Sequence, residues 1–321
     1  MTKARIQAWQ GKHILVVGDL MIDQYLWGDS TRISPEAPVP VVDVAKREIR
    51  PGGAANAALN LQAMGGIVSL MGLVGTDKQG KQFIQHLQNE GFGTETVFQS
   101  EERRTTVKTR IMARGQQLIR VDEEDTFPIT ATESAFILQQ LEQATGIDAV
   151  LISDYDKGML TPSMIEAIVG WANKRSIPIT VDPKFKQFYA YQNCTLFKPN
   201  LRELNEATGL SLKGSDHGAI REAALKLREE MPHILSLITL GKHGMLAIDE
   251  EGNSTHIAAR LREVVDVSGA GDTTIAAATL ALCAGASLVE AAELANMAAG
   301  LACDIAGVAP VSATQLQDLI A

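Results

Sequence analysis

Cysteine is scarce in this chain. Cys194, Cys283 and Cys303 are scattered over 321 residues, odd in number and without metal-ligand spacing. That argues against a disulfide framework and fits a reducing cytosol. A surplus of positive charge is also missing: 29 Lys and Arg stand against 38 Asp and Glu, a formal net charge of −9. A general binder of nucleic acid or of anionic membranes carries the opposite balance, so neither is an expected partner. An anionic substrate would then need local basic residues. No apolar signal core follows Met1, because Thr2, Lys3, Ala4 and Arg5 lead into charged and polar residues. The long uncharged stretch from Thr273 to Val289 is rich in Ala and Thr rather than Leu, which reads as a buried helix and not as a membrane span. The histidines, His13, His86, His217, His233, His243 and His256, lack metal-binding spacing. A dinucleotide G-x-G-x-x-G fingerprint is absent. Gly75 to Lys81 has a G-x-x-x-x-G-K core, but Gln82 stands where a P-loop needs the Ser or Thr hydroxyl for Mg²⁺, so this segment reads as the start of a helix. There is no internal repeat, low-complexity tract or long linker.

What is present is apolar residue and rhythm. Hydrophobic residues make up 45% of the chain, enough for a large core, and α/β folds of this length occur as one unit. His13–Asp19 reads as a short buried strand ending in a polar loop, which puts Asp19 and Asp23 near its carboxyl end, where ligands bind in open α/β sheets. Val39–Val44 is a second β-rich run whose prolines suit an edge strand. Gly52–Ala58 opens a helix of small residues. Thr105–Ala113 alternates, with Lys108, Arg110 and Met112 on one side. From Asp148 onward, continuous apolar strands (149–154, 179–182, 195–200, 235–241) alternate with helical patterns near 162–174 and from about 203. This predicts a parallel sheet covered on both faces. The proline-rich and basic strands fit poorly in such a sheet and are expected in a small accessory sheet over the site.

The most informative segment is Asp266-Val267-Ser268-Gly269-Ala270-Gly271-Asp272-Thr273-Thr274. Small residues at a helix start leave amide N–H groups uncovered, and the helix dipole points the same way, which suits an anion. A carboxylate next to that turn suggests phosphoryl transfer to a hydroxyl, with Asp272 as base and the amides of Gly269, Ala270 and Gly271 facing the phosphoryl charge. Asp and Gly also favour helix caps, so the motif alone leaves both readings open. Asn200-x-x-Glu203 has the same ambiguity: it spells a capping box, and it also supplies hard oxygens for Mg²⁺ and its waters. Lys184 is placed either to meet a phosphate or as a solvated loop charge. Thr239, Gly241 and Gly244 belong either to a loop that a nucleotide approaches or to an ordinary hairpin.

Together these residues resemble the ribokinase-like (PfkB) sugar kinases over almost the whole chain. Gly52-Gly53-Ala54-Ala55-Asn56 is similar to the family's N-terminal Gly-Gly signature, and Asp266–Asp272 to its D-T-x-G-A-G-D signature with Val267 in place of Thr. Asn200-x-x-Glu203 matches its magnesium motif. Within the family, Arg32–Val42, Lys108–Arg110, Gln116–Arg120, Ser153-Asp154-Tyr155-x-Lys157-Gly158 and Asp182–Lys184 are similar to segments of D-glycero-β-D-manno-heptose-7-phosphate kinases. The resemblance implies a three-layer α/β/α domain over 1–321 with a mostly parallel sheet, a β-sheet lid from about 24–50 and 94–121, and a homodimer through that lid. It implies ATP and Mg²⁺ as cofactors, and K⁺ held with the help of Asp266. It places Asp19, Asp23, Gly53 and Asn56 on sugar hydroxyls and offers Lys108, Arg110, Arg120, Lys157 and Lys184 for phosphates. Related kinases can be fused to a nucleotidyltransferase; the sequence to Ala321 has no H-x-G-H motif and resembles a stand-alone kinase or the kinase half of a longer protein. Another sugar or nucleoside as acceptor, or a non-catalytic sugar sensor, are the competing readings.

Overall fold

The computed structural model describes residues 3–259, 266–305 and 307–320. Its strands, in chain order, are β1 (His13–Gly18), β2 (Leu20–Ile33), β3 (Pro40–Gly53), β4 (Ile67–Gly75), β5 (Val97–Ser100), β6 (Thr106–Ala113), β7 (Gln116–Glu123), β8 (Ala149–Ser153), β9 (Ile179–Asp182), β10 (Cys194–Phe197), β11 (His233–Thr239), β12 (Met245–Ile248) and β13 (Ser254–Ile257). The helices are α1 (Lys3–Gln7), α2 (Ala54–Ala63), α3 (Lys78–Asn89), α4 (Ala131–Gln143), α5 (Pro162–Asn173), α6 (Leu201–Thr208), α7 (His217–Glu230), α8 (Ala270–Cys283), α9 (Leu288–Cys303) and α10 (Ala313–Asp318).

The apolar strands are continuous because both of their faces are buried. In β1, Ile14 and Val16 enter one core with α2, α8 and α9, while Leu15 and Val17 enter a second core with α4, α5 and α7. The strands β8 and β9 split the same way, and where Thr180 of β9 faces α8 its hydroxyl meets that of Thr279 at 2.6 Å, so the buried polar atoms are paired. The resulting sheet runs β13-β12-β11-β10-β9-β8-β1-β4-β5, parallel except for β12 and β13 at one edge. The chain leaves β1 toward β4 and β5, then returns to the other side of β1 with β8. That reversal opens a crevice at the carboxyl ends of β1 and β8, the usual ligand position in such sheets. Helix–sheet–helix layering and a mostly parallel sheet agree with the fold read from the sequence.

A second sheet has the order β3-β2-β6-β7, with the proline-bearing β3 at its edge. Its register assigns two faces. Asp23, Tyr25, Lys108, Arg110, Arg120 and Asp122 share one; Leu26, Ile49, Ile111, Ile119 and Val121 share the other. The accessory segments differ in their bounds from those read in the sequence. Residues 97–100 pair with β4 as the last strand of the large sheet, so the second stretch of the small sheet starts at Thr106 and not near 94.

The Gly75–Lys81 segment is a helix start, as its missing hydroxyl suggests. The Asp77 carboxylate caps α3 by accepting from the Gly80 amide at 2.7 Å. A Cβ on Gly80 would lie 1.9 Å from the Gly75 carbonyl oxygen, so the glycine serves close packing rather than a phosphate. Among the described residues no helix is long and apolar enough to cross a membrane, and α8 lies buried along nearly its whole length.

Candidate active site

One edge of the large sheet collects polar residues. Asp19 follows β1, Asp154 follows β8, Asp182 ends β9, Lys198 follows β10 and Thr239 ends β11. All but Thr239 are buried. The helix α8 points its N-terminus at this edge, and its first turn carries Asp272. Gly269 caps α8 with φ 79°, a left-handed conformation that glycine adopts without strain, and a Cβ there would come within 2.9 Å of the Asn56 amide nitrogen. The Ala270 amide makes a turn bond of 3.3 Å to the Val267 carbonyl, so it is less bare than the sequence alone suggests. The first turn as a whole still directs amides and the positive dipole end outward.

Asp272 is 4% exposed, yet both of its carboxylate oxygens have donors. Asn56 Nδ2, in the first turn of α2, donates to Oδ2 at 2.6 Å, and the Tyr155 hydroxyl donates to Oδ1 at 2.6 Å. Burial, and next the charge of Asp182, push the carboxyl up to about 6; the bonds from Tyr155 and Asn56 and the charge of Lys184 oppose them. Asp19 accepts from the backbone amides of Tyr155 at 2.8 Å and Lys157 at 3.0 Å, which ties the loop after β8 to the end of β1. Burial raises the Asp19 carboxyl above its ordinary range, and burial together with Asp19 does the same to Asp154.

Asn200 and Glu203 form a reciprocal capping box at α6. Glu203 N donates to Asn200 Oδ1 and Asn200 N to Glu203 Oε2, both at 2.8 Å. Lys184 Nζ takes the other Glu203 oxygen at 2.7 Å and lies 5.2 Å from the Tyr155 ring centre. Desolvation notwithstanding, Asp182 and Glu203 hold the Lys184 ammonium above its usual range. Each of these carboxylate and amide oxygens keeps a second lone pair, so the set fits the outer sphere of a hydrated Mg²⁺ better than direct ligation. Asp266 accepts from the amides of Ser268 and Gly307, each at 2.9 Å, which holds its carboxyl low despite burial and braces the turn before α8. Among the described residues no cluster of His, Cys, Asp and Glu is set up to hold a metal.

Beside this turn lies a cleft of about 440 Å³ lined by Thr239, Gly241, Gly244, Ala270, Gly271 and Asn296. A groove of about 660 Å³ adjoins it, sharing Thr239 and Gly241 and reaching Asn200. The hairpin reading of residues 239–244 also holds, since β11 and β12 pair antiparallel there. Gly244 is fixed by packing: at φ 87° a Cβ would meet the Ile257 carbonyl at 2.0 Å.

Three basic residues of the small sheet, Lys108, Arg110 and Arg120, lie on its site-side face, and each is paired, while Arg47 stands opposite Leu26 on the other face. Arg110 bridges Asp23 with both side chains mostly buried. Lys108 contacts Asp122 and Glu124 at 3.2 Å, and Lys157 reaches the same Glu124 at 3.0 Å. Arg120 is half exposed and pairs with Asp122 at 2.8 Å, farther out on the sheet than Arg110. Gly53 joins β3 to α2 with φ 60°.

The model of the pfkB family of carbohydrate kinases matches residues 12–314. The chain belongs to that family. Among pfkB relatives, the bifunctional protein HldE of Geobacter metallireducens is 41% identical over 303 residues, covering 94% of this chain and 61% of that protein. HldE of Helicobacter pylori is 44% identical over 292 residues, covering 90% and 62%. The chain thus spans about three fifths of the length of these relatives. Among solved structures, Escherichia coli phosphofructokinase-2 in complex with potassium superposes with a TM-score of 0.79 at 21% identity over 96% of this chain and 97% of that one. Arabidopsis thaliana ribokinase complexed with ribose and ATP gives 0.74 at 19% over 97% and 99%.

Three residues at the site carry no role in the sequence reading. Tyr155 sits in a loop motif whose hydroxyl has no visible target until α8 is in place. Lys198 and Asp182 form a buried pair at 3.0 Å. Their signal was a lysine following an apolar strand directly, and it gains meaning from the parallel register of β9 and β10.

The state of Asp272 sets a stability prediction. Its proton is held more tightly folded than unfolded, so the ionised group costs stability progressively as pH rises from the ordinary value of 3.8 through about 6. Asp272→Asn, which lets the Tyr155 hydroxyl turn and accept, should gain about 1–3 kcal/mol at pH 8 and nothing at pH 4. Urea titrations at the two pH values test this; a difference independent of pH would refute it.

Proposed function

We propose that this chain transfers the γ-phosphoryl group of ATP to the C1 hydroxyl of D-glycero-β-D-manno-heptose 7-phosphate. The product is the 1,7-bisphosphate, on the route to ADP-heptose and the lipopolysaccharide core, in the cytoplasm. The observation that carries the reading is the buried Asp272, aimed by two donors and set in the first turn of α8 beside an open cleft. The relatives at about 40% identity support a heptose substrate, as do the segments in which the sequence resembles heptose-7-phosphate kinases.

In this reading the Asp272 carboxylate accepts the proton of the C1 hydroxyl as its oxygen forms a bond to the γ-phosphorus and the bond to the ADP oxygen breaks. The first-turn amides at Gly269–Gly271 stabilise the charge on the transferring group. ATP lies along Thr239, Gly241 and Gly244, with Lys184 near the phosphates. Bound Mg²⁺ would neutralise triphosphate charge, with Asn200 and Glu203 holding its water shell, and Asp266 would help hold K⁺. Asp19, Asp23, Gly53 and Asn56 read the sugar hydroxyls. Lys108 and Lys157 already converge on one carboxylate, Glu124, and with Arg110 and Arg120 they offer cations to the far phosphate.

The outer face of the small sheet supports a homodimer. Ile119, Val121 and Ile49 are 54%, 45% and 39% exposed on the same side as Leu26 and Ile111, and exposed apolar residues grouped on one sheet face, here interspersed with Gln24, Thr109 and Arg47, are of the kind that marks an interface.

Four measurements test this. Incubation of heptose 7-phosphate with ATP should give a second sugar phosphorus resonance, at C1, in ³¹P NMR, and Asp272→Asn should lower kcat by about 10²–10⁴-fold; no product, or full turnover by the variant, overturns the assignment. Arg110→Ala should raise KM for the phosphorylated sugar by about tenfold or more, well beyond its effect on the unphosphorylated analogue. Ile119→Lys should shift the sedimenting species from dimer to monomer; an unchanged dimer would remove the small sheet as the interface.

A further inference from the structure

Tyr155 makes two contacts at once. Its backbone amide donates to Asp19 at 2.8 Å, and its hydroxyl donates to Asp272 at 2.6 Å. The first ties it to the residue at the end of β1, the second to the first turn of α8, which lies 117 residues on in the chain. Lys184 lies over the ring, at 5.2 Å from its centre. Asn56 covers the other Asp272 oxygen, so the carboxylate cannot rotate about its last bond without losing a donor. Two donors still leave lone pairs on both oxygens for an acceptor hydroxyl.

We propose that Tyr155 is the positioning residue for the base: its hydroxyl fixes the orientation of the Asp272 carboxylate and keeps it ionised inside a buried site. The inference rests on the reading of Asp272 as the base and adds a residue to it. The chemistry of the phenol suits the task. Burial, and next the neighbouring Asp272, hold its proton in place well above the usual tyrosine range, so it stays a donor wherever the base must be a carboxylate. A donor to the charged form favours that form, and hydrogen bonds to charged groups are the stronger ones. The groups facing this pair are Asp182 at the end of β9, which disfavours ionisation of Asp272, Lys184, which favours it, and Asp23 of β2 on the Tyr155 side. Lys198 in turn neutralises part of the Asp182 charge. Tyr155 and Asn56, in contrast, donate hydrogen bonds to the carboxylate, and Tyr155 alone of the two can lose its polar atom while keeping its ring and its bond to Asp19.

Tyr155→Phe is therefore the test. With Asp carboxyl carbons labelled in ¹³C, and the Asp272 resonance assigned by its loss in Asp272→Asn, the variant should titrate about one pH unit higher than the native protein. The acid limb of kcat should move up by the same amount, with kcat at pH 8 down about tenfold and KM for ATP unchanged. Placing 3,5-difluorotyrosine at position 155, a stronger donor of nearly the same shape, should move both curves to lower pH, which a purely structural role would not do. An Asp272 titration that stays put in both proteins sinks the proposal even if Asp272→Asn is inactive. Titrations that move while Asp272→Asn keeps full turnover would instead remove Asp272 as the base and with it the role assigned to Tyr155.

Discussion

A carboxylate has been taken out of water and placed in the first turn of α8, and the architecture around it is arranged to make that tolerable. Left alone, burial would neutralise Asp272. The helix dipole, the Asn56 amide and the Tyr155 hydroxyl answer that pressure, and each comes from a different part of the chain. Asn56 needs α2 to begin directly after the Gly52–Gly53 pair, Tyr155 needs the loop after β8, and Asp272 needs the left-handed turn at Gly269. None of these arrives without the parallel sheet that sets β1 next to β8. The order of strands and the state of one carboxyl are in this sense the same constraint.

Asp182 and Lys198 show how finely that balance is set. Asp182 raises the carboxyl of Asp272, but its own charge is paired with a lysine that is almost fully buried. On the outward side, Lys184 is held between Glu203 and the Tyr155 ring. Acidic groups at the crevice are thus interspersed with the lysines Lys184 and Lys198, a distribution suited to a reaction in which negative charge is redistributed rather than created.

Much of this was legible in the sequence, for identifiable reasons. Strands buried on both faces are largely apolar, so β1, β8 and β9 stand out in the sequence. Helix starts use a small set of residues, which made the turns before α3, α6 and α8 visible. What stayed hidden depends on contacts between distant segments. Lys198 looks like a loop charge until Phe197 is known to pair with Val181. Tyr155 is one aromatic residue among polar neighbours until α8 comes within reach of it. Residues 97–100 looked like part of the accessory sheet because a four-residue strand carries too little pattern to say which sheet it joins. The capping box of Asn200 and Glu203 illustrates the opposite case, in which the plain structural reading and the chemical one describe the same oxygens.

The junctions of the small sheet have a mechanical consequence. A single residue, Asp19, separates β1 of the large sheet from β2 of the small one, and β3 runs into α2 with no intervening loop. Two strands of the cover, the inner β2 and the edge β3, are thus hinged without slack at the very residues that flank the crevice. Any rocking of that cover turns about Asp19 and Gly53, and the lever arm is about as long as the strands themselves. Motion far out on the sheet is geared down to a small displacement beside Asn56, so the cover and the crevice are mechanically coupled at these junctions.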